Sequence, residues 1–138
     1  MGFDETATAG ASAENQAQRI SREMVRLMRE IAGRGPTRAR TTIARDHVLV
    51  MFSETLTAGE RVLVDNGHVE RVAELRAGYQ DVLRDRAVAM ITEVLGRRVT
   101  GFMSTNHFNP DLAAEIFVLE RAEESPSPNP EEAEHSAH

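Results

Sequence analysis

Apolar positions along the chain change period several times, and each change predicts an element. Over residues 14–32, Ile20, Met24, Leu27, Met28 and Ile31 recur every three or four positions, with Arg19, Arg22, Arg26 and Arg29 on the other side. That spacing predicts an amphipathic helix. It ends at Gly33, which tolerates a left-handed cap, and Pro36 blocks continuation. Residues 37–44 and 47–53 then alternate as strands, with Arg45 and Asp46 as the turn of a hairpin. In the first strand Arg38, Arg40 and Thr42 fall on one face and Ala39, Thr41 and Ile43 on the other, because strand side chains alternate. Thr57 and Glu60 have the spacing of a capping box and predict a short helix, interrupted near Asp65, Asn66 and Gly67. A long helix follows over residues 68–95, carrying Val69, Val72, Tyr79, Leu83, Ala87, Met90, Ile91 and Val94, and Gly96 stops it. Two more strands, 98–105 and 112–120, flank the turn residues Asn109, Pro110 and Asp111.

The predicted order is αββααββ. Two hairpins, with no helix crossing between consecutive parallel strands, imply an α+β fold: two layers, a mainly antiparallel four-stranded sheet, and helices over one face. The 138 residues suit one domain. Its bounds are 15–121. Residues 1–14 and the Pro-, Ser- and Glu-rich residues 122–138 offer little to bury and are expected to be disordered tails.

Charge changes this picture only when it is divided along the chain. The net charge is −6, but the two tails carry −8 and the domain +2, and all sixteen basic residues are arginines. Apolar residues make up 41% and aromatics 4%, so the core is aliphatic. Without cysteine there is no disulfide framework, thiolate metal site or cysteine nucleophile. No apolar run reaches the roughly 18 residues of a membrane span, so the expected setting is the cytoplasm, at most peripheral to a membrane.

Arginine clusters carry the candidate chemistry. Arg34, Arg38 and Arg40 follow the bend at Gly33, Gly35 and Pro36, where freed backbone amides form a nest suited to an anion. Guanidinium groups suit bidentate contact with carboxylate or phosphate. The bend is not a nucleotide-binding loop, because its glycines close a helix and no Gly-Lys-Ser/Thr follows. Arg76 lies beside the apolar stripe of the long helix, within reach of an acidic partner. His107 sits in STNHFNPD, residues 104–111, the densest polar cluster. Ser104, His107 and Asp111 supply the residue types of a triad there without an oxyanion-hole motif, so no catalytic residue is assigned. The histidines lack ligand spacing, and neither a metal nor a cofactor is expected.

Several short motifs in fixed order resemble the MpsC-type domain: GRGP at 33–36, Arg40, LTAGE at 56–60, Arg76, GRRVTGF at 96–102 and EIFVLE at 115–120. Gly33, Gly35, Pro36, Arg40, Leu56, Glu60 and Arg76 fall on that family's recurring pattern. The resemblance implies a small soluble accessory protein of a bacterial membrane system for cation and inorganic-carbon transport, with no catalytic residue to carry over. The expected function is an accessory or regulatory binding module, dimeric, whose arginine-bearing hairpin meets a membrane transport subunit, another acidic protein or a small anion. Nucleic-acid binding is the second reading, disfavoured by a domain charge of only +2. An enzyme built on the 104–111 loop is the third.

Overall fold

The computed structural model describes residues 5–33 and 38–121, with side chains from residue 15 onward. The elements are α1 (Glu5–Ala32), β1 (Arg38–Ile43), β2 (His47–Ser53), α2 (Ala58–Asp65), α3 (Val69–Leu95), β3 (Val99–Phe108) and β4 (Asp111–Leu119). This is the predicted αββααββ order. The strands form one antiparallel sheet in the order β1-β2-β4-β3. Each hairpin supplies one edge, and pairing of β2 with β4 joins them.

α1 begins at Glu5, nine residues before the position at which the apolar stripe starts. Ala7, Ala9, Ala11 and Ala13 favour a helix without supplying a core face, so periodicity alone gives no sign of this segment. Gly33 ends α1 with φ of +81°, and its amide donates to Arg29 O at 2.9 Å. Gly96 ends α3 in the same left-handed region. Arg34, Gly35 and Pro36 lie outside the described residues.

One face of the sheet is the floor of the core. Val48, Val50 and Phe52 of β2 and Ala113, Phe117 and Leu119 of β4 meet Ile20, Met24 and Leu27 of α1 and Leu83, Ala87 and Ile91 of α3. Phe102 of β3 packs its ring 5.1 Å from that of Phe117. An irregularity between Val99 and Gly101 lets both Val99 and Phe102 turn toward the helices. Buried aliphatic surface of this kind contributes roughly 25 cal/mol per Å² and dominates the stability of such a domain.

The other face carries no helix among the described residues. Its rows follow from the register: Arg38–Ser53–Leu112–His107, Arg40–Met51–Ala114–Thr105 and Thr42–Leu49–Ile116–Met103. α2 also stands apart. None of its residues is buried, and Val62 and Leu63 are exposed.

Candidate functional site

The start of α2 is built by its own sequence. Thr57 Oγ1 accepts from Glu60 N at 3.1 Å, and Glu60 Oε1 accepts from Thr57 N at 2.8 Å, closing the capping box. Glu60 then does a second job, because Arg76 of α3 turns inward onto it. Arg76 Nε donates to Glu60 Oε2 at 3.3 Å and Nη2 to Glu60 Oε1 at 3.0 Å. Nη2 also donates to Thr55 O at 2.7 Å, and Nη1 to Thr55 Oγ1 at 2.9 Å and Asn106 Oδ1 at 3.4 Å. All five guanidinium donors are engaged, which only an arginine's planar fork could achieve.

Asp111, the first residue of β4, grips the same loop from the sheet. Its Oδ1 accepts from Thr55 N at 3.0 Å and Thr55 Oγ1 at 2.6 Å, and its Oδ2 from Leu56 N at 2.9 Å. Burial works to raise this carboxyl. The bonds from Thr55 and Leu56, with the Arg76 charge nearby, outweigh it and hold Asp111 below the ordinary aspartate range. Residues 55–60 are thus clamped between α3 and the β3–β4 hairpin. The clamp opens onto a cleft of about 120 Å³, walled by Met28, Ile31, Leu75, Tyr79 and Leu83, with Arg76, Gln80 and Asn106 at its polar end.

The structure divides the site residues expected from sequence. Arg38, Arg40 and His107 share the helix-free sheet face, with the arginines on edge strand β1 and the histidine on the opposite edge strand. Arg38 and Arg40 are exposed, and neither makes a hydrogen bond or ion pair with another described residue. Arg76 belongs to the opposite layer. The polar stretch 104–111 is a strand and a tight turn rather than one loop: β3 continues to Phe108, and Asn109–Pro110, joined by a cis peptide bond, makes the connection. Alternation therefore puts Ser104 on the core face and His107 on the open face, where His107 Nδ1 donates to Pro110 O at 2.7 Å. Asp111 is turned to Thr55. The three do not converge.

A family model described as Na+-translocating membrane potential-generating system (MpsC) matches residues 12–121, the whole of the sheet and its helices. The chain belongs to the MpsC family. No curated relative and no solved structure matches it. Three residues of the MpsC motif pattern, Leu56, Glu60 and Arg76, meet at the clamp, while Gly33 caps α1 and Arg40 stands on the open face. No described helix is long and apolar enough to cross a membrane. Among the described residues no three His, Asp or Glu side chains gather as a metal site.

One polar residue of the MpsC fold escaped the sequence reading. Glu115 lies in the middle of β4, fully buried, between Val50 of β2 and Ser104 of β3. Neither carboxyl oxygen has a hydrogen-bond partner, nor has the Ser104 hydroxyl. Burial pushes the Glu115 carboxyl up to about 7. The signal was available in the alternation Ala113, Glu115, Phe117, Leu119, which places a carboxyl on the core face once the parity of β4 is set.

Proposed function

We propose that this MpsC-family chain is an accessory binding module whose helix-free sheet face docks an acidic partner, a subunit of a membrane cation-transport system. The observation that carries this reading is the make-up of that face. Arg38 and Arg40 stand unpaired beside a half-buried strip of Leu49, Met51, Ile116 and Val118, and no Asp or Glu occupies any row of the face. An apolar centre with guanidinium groups at its rim suits a protein interface, where arginine anchors carry a large share of the affinity. The family description supports a membrane system as the setting. The module works on the cytoplasmic side as a peripheral component. The clamp's role in this reading is to fix the loop and α2 rather than to hold a ligand, since Arg76 has no donor left over.

The test is affinity recovery from gently solubilised membranes of the native host, with the unsubstituted chain and an Arg38→Ala/Arg40→Ala variant in parallel. The expected result is a transport subunit recovered by the former and lost from the latter, with equal thermal stability. Equal recovery by both, or recovery of no membrane protein by either, would overturn the reading.

A further inference from the structure

Residues 122–138 and the arginine face are opposite in charge and joined by a short path. The segment holds five glutamates, Glu123, Glu124, Glu131, Glu132 and Glu134, and no Arg or Lys. Its starting point is fixed. Leu119 N donates to Asp46 O at 2.9 Å and Glu120 N to Arg98 O at 2.8 Å, while Arg97 Nη2 holds Glu120 O at 2.9 Å. The chain therefore leaves from the end of a central strand, beside the face in question.

The distances can be worked from strand geometry. Arg40 lies two strands from β4, in the row of Ala114, five residues back from Leu119. Strands spaced about 4.8 Å apart and rising about 3.4 Å per residue put it roughly 20 Å from the exit. Ten residues separate Arg121 from Glu131. With Pro126, Pro128 and Pro130 among them, an extended path at about 3.1 Å per residue spans about 31 Å. Glu131, Glu132 and Glu134 reach Arg38 and Arg40, and the prolines fall over the strip of Met51 and Ile116. A second copy of the chain fits the face less well, because each copy would offer the other two arginines and no acid.

We infer that residues 122–138 form an intramolecular cover for the open sheet face, with their glutamates on Arg38 and Arg40, which an acidic partner must displace to bind. This deepens the docking role proposed above and rests on the same surface.

A Ser136→Cys substitution gives the full chain its single cysteine, to which a nitroxide spin label is attached. Amide signals of Arg38, Arg40 and Met51 should lose at least half their intensity while those of α3 keep theirs. The loss should vanish in a Glu131→Gln/Glu132→Gln/Glu134→Gln variant, and in an Arg38→Gln/Arg40→Gln variant. It should also fade at about 0.5 M salt, where screening shortens to about 4 Å. Broadening only in a mixture of isotope-labelled and spin-labelled chains would assign the contact to a second copy and overturn the proposal. So would broadening that survives both sets of substitutions, or none at all. A synthetic peptide of residues 122–138, titrated into the triple glutamine variant, separates the two readings. Shifts on the open face without broadening in the full chain would leave the docking surface standing and remove the cover. Neither signal would remove both.

Discussion

Replacing Glu115 by glutamine should change how stability depends on pH, and the size of the effect follows from where the carboxyl sits. In the unfolded chain it titrates near its ordinary value of 4.5, whereas in the folded protein burial raises it to about 7. Below 4.5 both states hold the proton and the residue has no pH-dependent effect. Between 4.5 and 7 the unfolded chain ionises while the folded chain does not, so stability falls as pH rises. Each unit of pH in that window is worth about 1.36 kcal/mol, which gives a loss of about 3 kcal/mol by neutral pH. For a domain with a total of about 5–15 kcal/mol this is large. Urea unfolding of the unsubstituted chain and Glu115→Gln, from pH 4.5 to 8.5, measures it. The unsubstituted chain should lose about 3 kcal/mol relative to the variant across the series, with the difference levelling off above pH 7. Asp111, Glu30 and Asp46 do not confuse the window. Their carboxyls are held below their ordinary values, so the stability they contribute is lost only as pH falls from about 4 downward. A difference between the two proteins that stays constant from pH 4.5 to 8.5 would refute the reasoning.

Other substitutions test the clamp and the helix ends. Arg76→Met leaves the mostly buried Glu60 without its counter-charge and should cost about 3–5 kcal/mol in a thermal or urea melt. Arg76→Lys should recover less than half of this loss, because one ammonium cannot span acceptors on Glu60, Thr55 and Asn106. Gly33→Val forces a β-branched side chain to φ of +81° and should lower stability by about 1 kcal/mol or more in urea unfolding. Gly78→Ala, inside α3 with open space around the added methyl, should raise it by about 0.5–1 kcal/mol in the same assay.

The fold was legible because its signals are local and agree with one another. Thr57 and Glu60 announced the start of α2, Asn66 and Gly67 its end, and the period-two runs gave the strands of both hairpins. Parity in β1 placed Arg38 and Arg40 outward before any coordinates were known. Arg76 was harder to place. It occupies the inner stripe of α3 between Val72 and Leu83, but an arginine there ordinarily extends to solvent. What brings it inside is a set of acceptors from Thr55, Glu60 and Asn106, distant in sequence and invisible to any helical pattern. The polar run 104–111 misled for the opposite reason. Its residue types suit turns, yet pairing with β4 holds most of them in a strand, so Ser104 and His107 part to opposite faces. Glu115 was overlooked because its flanking sequence, EIFVLE, reads as an ordinary strand.

α2 is joined to the domain chiefly at its first turn, through Thr57, Glu60 and the 3.4 Å contact of Arg61 with Asp111, and buries none of its own residues. It can therefore open without the sheet coming apart. The cost is the handful of polar bonds at the clamp rather than the aliphatic core, so its backbone amides exchange with solvent through local opening while those of β2 and β4 wait for the whole molecule to unfold. The same asymmetry exposes the connection between Asp65 and Val69 to proteases in the otherwise native protein. The MpsC fold thus carries its least stable unit on the one helix that its sequence marks most clearly.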